Sequence, residues 1–260
     1  MMKVKAKKHL GQHFLKDASI CQRIVENLPL AKSRNVLEVG PGTGALSKWL
    51  IDDERIQELY LMDVDEESIA YLKIAYPERA SEILLEDFLR YDINAFIPGQ
   101  NFNVVGNFPY NISSQILFRC LEFKDRIPEV VGMFQREVAQ RIAQGPGSKQ
   151  YGILSVFMQA YYDIEYLFTV DEDVFDPPPK VKSGVIRCIR NERKALPCDE
   201  KLFKTVVKTA FNQRRKTLRN SLKPLLRGLE LPEKYSWERP EQCSVEDFII
   251  LTELINNNTA

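Results

Sequence analysis

The sequence predicts an α/β protein: a Rossmann-like, mostly parallel sheet with an antiparallel hairpin at one edge, then a small C-terminal helical domain. Three observations predict it. Short β-branched runs alternate with amphipathic helical stretches up to about Arg193. Early in that alternation a strand runs into a glycine-rich turn, NVLEVGPGTG at residues 35–44. Beyond Arg193 the strand signal gives way to helical periodicity.

In chain order the expected strands are Val36–Val39, Leu59–Val64, Ile83–Leu85, Asn103–Val105, Val130–Phe134, Asp163–Val170 and Val185–Ile189. Ala45–Ile51 and Glu66–Ala75 carry helical spacing between the early ones. The last two strands are separated by a short stretch containing Pro177-Pro178-Pro179. That is too little chain for a crossover helix, so the two should form the antiparallel edge. The expected division is residues 1–193, a catalytic domain with a basic N-terminal arm, and 194–260, a helical domain.

With 44% hydrophobic and 28% charged residues, the chain can bury a sizeable core. Its formal net charge is zero, but the charge is unevenly spread. Lys3–Lys16 holds five lysines and no acid, and Lys201–Arg227 holds nine Lys/Arg and no acid. Local field, not total charge, steers a polyanion. Five scattered cysteines, with no Cys-x-x-Cys pair, read as reduced thiols and argue against a disulfide frame or a metal site. The N-terminus has no apolar signal region and no apolar run reaches membrane-spanning length, so a cytoplasmic protein without membrane attachment is expected.

At the glycine turn, Gly40 and Gly42 let backbone N–H groups approach a ligand at the carboxyl end of the first strand. Asp63, ending the second strand, suits a ribose diol, and Asp87 in LLEDF suits an adenine amino group. A dinucleotide and S-adenosylmethionine both fit that much. The Gly-x-Gly-x-Gly spacing departs from the pyrophosphate pattern, and Glu38 would repel a pyrophosphate but attract a cationic sulfonium amino acid. Both features favour S-adenosylmethionine.

The fourth strand discharges into GNFPY, with Asn107, Phe108, Pro109 and Tyr110. Gly-Asn and Phe-Pro are turn dipeptides, which explains a turn but not two rings flanking an amide and a proline. An exocyclic adenine amine is a poor nucleophile because its lone pair is delocalised into the ring. The Asn107 side-chain oxygen and the Phe108 carbonyl can accept its N–H bonds and turn the lone pair toward a methyl group. Tyr110 offers a stacking face, and Pro109 stiffens the turn without adding a donor. Such a transfer rests on positioning and electrostatics and asks for no metal.

VLEVGPGTGALS, GNFPYNISS and VFDPPPKVKSGVIR together resemble the ribosomal RNA adenine dimethylases. KKHLGQHFLKD near the start and AFNQRRKTLRNSL near the end are similar to the same family, so the resemblance covers nearly the whole chain. It implies a class I S-adenosylmethionine-dependent methyltransferase fold. It also implies N6,N6-dimethylation of two adjacent adenosines in the hairpin loop near the 3′ end of small-subunit (16S) rRNA. By resemblance the donor site falls on His13, Leu15, Gly40, Asp63, Asp87 and Asn107. The target-base pocket falls on Asn107 to Tyr110, with Phe175 closing over the base's other face. The family commonly has asparagine where this chain has His13. An imidazole presents its donor and acceptor in a geometry unlike an amide's, so a side-chain contact need not carry over, but a backbone contact would survive the change.

In the C-terminal domain Phe203, Val206, Val207, Ala210, Phe211, Leu218, Leu222 and Leu225 can face a core. Lys201, Lys204 and Lys208, with Arg214, Arg215, Lys216, Arg219 and Lys223, are expected on an RNA-binding surface, and the Lys3–Lys16 arm is expected to order over the cofactor when RNA is present. The expected partner is small-subunit rRNA in an immature ribosomal subunit, and nothing in the sequence demands more than a monomer. Three rivals differ in class or target: a large-subunit (23S) rRNA methyltransferase of macrolide resistance, a non-catalytic ribosome-assembly or transcription factor, and a DNA adenine methyltransferase. A non-catalytic factor need not keep Asn107, Pro109, Tyr110, Asp63 and Asp87 together. The YGILSV run and QRRKTLRNSL favour the small-subunit branch.

Overall fold

The computed structural model describes residues 4–259; Lys3, assigned to the basic arm, lies outside the described residues. In chain order the elements up to Arg190 are β1 (Phe14–Leu15), α1 (Ala18–Glu26), β2 (Asn35–Val39), α2 (Ser47–Ile51), β3 (Glu58–Asp63), α3 (Glu66–Ala75), β4 (Ile83–Leu85), β5 (Asn103–Asn107), α4 (Ser113–Glu122), β6 (Glu129–Gln135), α5 (Arg136–Ala143), α6 (Ile153–Gln159), β7 (Tyr162–Val170), β8 (Phe175–Asp176) and β9 (Ser183–Arg190). Seven strands form one sheet in the order β4-β3-β2-β5-β6-β9-β7. Every residue of β2 is buried, as expected of a central strand covered on both faces.

The chain runs outward from β2 to β3 and β4, then returns to lay β5 on the other side of β2, all parallel. Strand order therefore reverses between β2 and β5, the point where such sheets open a crevice at their carboxyl ends. Val36 pairs with Asn103 and Glu38 with Val105, so the glycine turn and Asn107 leave the sheet side by side. β6 continues the parallel set and β9 pairs with it antiparallel from Glu129↔Ile189 to Gln135↔Ser183, leaving β7 at the edge.

Sequence periodicity does not register β1 and β8, two residues each, because so short a run has no pattern. They pair as a separate ribbon, Phe14↔Asp176 and Leu15↔Phe175. Lys16 N–H also donates to the Val174 carbonyl at 2.8 Å. The arm is fastened to the first unit at Lys7, Gln12 and residues 14–16. Lys7 Nζ meets Asp65, and Gln12 Nε2 donates to Asp65 Oδ2 at 3.0 Å. Asp65 is buried, caps α3 by accepting from Glu67 N–H at 3.1 Å, and takes a further bond from Ser68 Oγ. A buried carboxylate needs such donors, and the arm supplies two of them. Burial opposes its ionisation, but these bonds together hold its pKa below the usual carboxylate range.

Contacts divide the chain into two compact units, Met1–Ala139 with Ile164–Arg190, and Gln140–Asp163 with Asn191–Ala260. The segment Gln140–Asp163, which the sequence division leaves in the first domain, thus groups with the C-terminal helices. The reason is aromatic: the rings of Phe157 on α6 and Phe203 lie 6.1 Å apart. The second unit's other helices are α7 (Glu200–Asn212), α8 (Leu218–Ser221), α9 (Lys223–Leu226), α10 (Glu233–Trp237) and α11 (Val245–Thr259). Asp199 caps α7, accepting from Leu202 N–H at 2.6 Å. Phe203, Val206, Val207, Ala210 and Phe211 are all buried, the face their spacing predicts.

Candidate active site

A cavity of about 280 Å³ opens at the β2/β5 reversal. Its walls come from the arm (His9–Phe14), the glycine turn (Gly40, Gly42), the end of β3 (Asp63, Val64) and residues 107–112. Gly40 and Gly42 both have positive φ, 74° and 54°. Gly42 must be glycine for a second reason: a Cβ there would sit 2.8 Å from the Phe14 ring, which lies against the turn. Gly40 N–H donates to Met62 O at 2.9 Å and Gly42 N–H to Asp63 Oδ2 at 3.1 Å, so the turn is pinned to the end of β3. The turn through 41–46 delays the helix, which starts at Ser47 and not at Ala45.

Asp63 is 7% exposed. Burial raises its pKa, opposed by N–H bonds from Asp65 and Gly42. Glu38 is more enclosed still, with Oε2 accepting from Ser47 Oγ at 2.6 Å. Burial pushes its pKa up to about 8, with the Ser47 bond opposing and Asp63 adding. Glu38 lines a smaller recess beside the cavity together with Phe14, Leu15, Gly40 and Asn107.

Asn107 is the last residue of β5, which runs two residues past its predicted end. Its Nδ2 donates to the His13 carbonyl at 2.8 Å. That bond fixes which way the amide faces and leaves Oδ1 as its accepting atom. The Phe108 ring turns away from solvent into the sheet, 1% exposed and edge-on to Phe134. Two glycines make room for it; a Cβ on Gly132 would lie 2.2 Å from this ring, and one on Gly106 would lie 2.7 Å from it. So Phe108 anchors the turn with its ring and presents only its backbone. Tyr110 OH and Ser183 Oγ share a 2.6 Å hydrogen bond. Burial raises the phenol's pKa against that bond, so Tyr110 stays neutral. The His13 ring stacks on Tyr110, centroids 5.5 Å apart and planes at 28°.

His13, Gly40, Gly42, Asp63, Asn107, Phe108, Pro109 and Tyr110 thus meet in one cavity, and Leu15 lines the adjoining recess. Asp87, two residues past β4, is not among the cavity's lining residues; its Oδ1 accepts from Leu89 N–H at 2.9 Å and its Oδ2 lies 3.6 Å from Arg90 Nε. The expectation for Phe175 is corrected: it is 1% exposed, packs in the main hydrophobic core beside Leu15 and Val174, and does not line the cavity. Its place on β8, paired with Leu15, holds it there. Nothing in the sequence marks Ser183, whereas Gly132, a glycine inside an apolar strand run, is the kind of position that signals a close approach.

In the helical unit Arg215, Lys216, Arg219 and Lys223 are exposed, and among the described residues none of them pairs with an acid. The Arg219 guanidinium lies over the indole of Trp237, 4.3 Å from its centroid, and that indole is 60% exposed. Arg214 has a different setting: it reaches the Lys149 carbonyl and lies 3.8 Å from Glu241.

A parallel sheet that reverses order beside β2, a glycine turn at that point and an acid closing β3 define a class I methyltransferase fold. A family model described as ribosomal RNA adenine dimethylase matches residues 3–255. The ribosomal RNA small subunit methyltransferase A of Flavobacterium johnsoniae is 59% identical over 98% of this chain and 97% of its own. Among solved structures, a dimethyladenosine transferase from Plasmodium falciparum superposes with a TM-score of 0.79 at 22% identity, covering 95% of this chain and 98% of that one. The 23S rRNA methyltransferase ErmE gives 0.68 at 26% identity, covering 94% and 99%. This chain belongs to the ribosomal RNA adenine dimethylase family.

Proposed function

We propose that this chain transfers methyl groups from S-adenosylmethionine to N6 of adenosine in small-subunit (16S) rRNA, two to each of two adjacent adenosines in the 3′-terminal hairpin loop. Family membership and the 59% identity to a small-subunit methyltransferase support the substrate. The observation that carries the chemistry is the oriented Asn107 amide, with Nδ2 tied to the His13 carbonyl and Oδ1 left to accept.

The cavity residues suit the cofactor. Gly40 and Gly42 offer close backbone approach, Asp63 a ribose acceptor, and Glu38 a carboxylate beside the recess for a cationic amino-acid end. Asp87 is assigned to the adenine amino group. His13 and Leu15 complete the wall from the arm. When bound, S-adenosylmethionine supplies an electrophilic methyl group on a positively charged sulfur. Asn107 Oδ1 and the Phe108 carbonyl accept the two N6–H bonds of the target adenine and draw that nitrogen toward tetrahedral geometry. Pro109 holds the turn rigid and Tyr110 receives the base face. The methylated nitrogen sheds its proton to water, so no general base is required. Positioning and electrostatics carry the rate.

Arg215, Lys216, Arg219 and Lys223 are assigned to RNA phosphates, with Arg214 buttressing the 148–149 loop beside them. A monomer acting in the cytoplasm on an immature small subunit fits this assignment. Among the described residues no helix is long and apolar enough to cross a membrane.

The test is Asn107→Ala. Methyl transfer should fall by about 10²–10³-fold, the usual cost of losing one preorganised polar contact at a reacting centre, with RNA affinity kept. Unchanged turnover refutes the role. The large-subunit reading draws on the ErmE likeness at 26% identity; a preference for protein-free 23S rRNA over immature small subunits would favour it.

A further inference from the structure

In the helical unit one large ring is turned outward. Tyr235 on α10 is buried, its OH donating to Asp247 Oδ1 at 3.1 Å, and Pro240 just beyond the helix is buried as well. Between them Trp237 is exposed. One face of its indole is covered by the Arg219 guanidinium, which leaves the opposite face to solvent. The pair is held from beneath. Leu218, fully buried, donates its N–H to the Glu238 carbonyl at 2.8 Å, so the residues adjoining Arg219 and Trp237 are tied backbone to backbone. The indole is thus displayed on a fixed turn, and it does not line the cavity at the β2/β5 reversal.

Charge says what the ring meets. Arg215, Lys216 and Lys223 flank Arg219 in the chain, are exposed, and pair with no acid among the described residues. That field favours a polyanion. A phosphate alone has no use for a ring face, and a duplex keeps its bases stacked inside. An unpaired nucleotide brings both parts, a phosphate for the cations and a π-face for the indole. Lying flat on the indole, the guanidinium keeps its edge N–H groups for that phosphate. We propose that Trp237, backed by Arg219, is a stacking platform for an unpaired base of the rRNA, a second base-binding site separate from the one that takes the target adenine. This rests on the rRNA reading and adds to it a contact in the helical unit. Because every base has a π-face, the platform selects unpaired over paired RNA and reads no sequence.

The experiment uses the full chain and compares wild type, Trp237→Ala and Trp237→Phe by filter binding to immature small subunits over a salt series. Trp237→Ala should weaken binding roughly tenfold, the usual loss for one stacked base. The slope of log affinity against log salt should stay at its wild-type value, because no charge is removed. Trp237→Phe keeps a ring and should retain most of the affinity. Cofactor Kd should be the same in all three, which also shows that Trp237→Ala is folded. The chain has two tryptophans, so the difference between wild-type and Trp237→Phe emission isolates Trp237. That signal should be quenched by saturating single-stranded RNA and not by a duplex carrying the same number of phosphates. Unchanged affinity in Trp237→Ala overturns the proposal, as do a salt slope that falls with the affinity, an equal loss in Trp237→Phe, or equal quenching by the duplex. A wild-type chain that fails to bind immature small subunits sinks the underlying reading instead, and its own titration tells the two failures apart.

Discussion

Glu38 shows how one residue can carry a pH dependence into binding. Its raised pKa, about 8 against an ordinary 4.5, means that it is protonated at neutral pH in the free enzyme. A cationic cofactor beside it favours the ionised form, so binding at pH 7 should release a proton. Affinity should climb with pH and level off above about 8. Calorimetry in buffers of different ionisation heat should give buffer-dependent enthalpies for wild type and buffer-independent ones for Glu38→Gln. The stability consequence has the opposite slope. Because the folded pKa lies above the unfolded value, this group's contribution is complete below pH 4.5 and lost as pH rises toward 8. At this scale the sequence is informative: Glu38, Asp63 and Asn107 are legible because each lies at or beside the carboxyl end of a strand that runs into a predicted turn. Phe175 misled because its motif points to the site while its backbone pairing, invisible in sequence, buries it.

Among elements, the strand–turn at β5 and β6 depends on the paired glycines Gly106 and Gly132. Gly132→Ala would drive a methyl group into the Phe108 ring, and overpacking of this kind costs about 1–3 kcal/mol. Urea unfolding should register that loss, and kcat should fall with it because Phe108 carries the turn that holds Asn107. An unchanged kcat in a destabilised variant would separate the ring's packing from the chemistry. The long strands and α3 could be read from periodicity, α3 to the residue. The β1/β8 ribbon and the arm's attachment could not, since two-residue strands and a single buried Asp65 leave no periodic trace. That attachment is what brings His13 to Asn107.

Across the whole molecule, a formally neutral chain carries the exposed Arg215, Lys216, Arg219 and Lys223 on one unit and the residues proposed for methyl transfer on the other. Replacing Arg215 and Arg219 with Gln should weaken RNA binding across sequences and reduce the salt slope of log affinity by about one per residue removed. Filter binding over a salt series reads this directly, and cofactor affinity should not move. An unaltered slope would take phosphate contact away from this surface. The chain's division was only partly legible, because residues 140–163 join the helical unit through Phe157 packing that no composition shift announces. The most direct measurement is mass spectrometry of rRNA from cells with this chain, without it, and with only its Asn107→Ala form. Two adjacent adenosines in the small-subunit 3′ hairpin should each carry two N6 methyl groups in the first case and none in the other two. Persistence of those methyl groups in cells lacking the chain, or their loss from large-subunit rRNA alone, would contradict it.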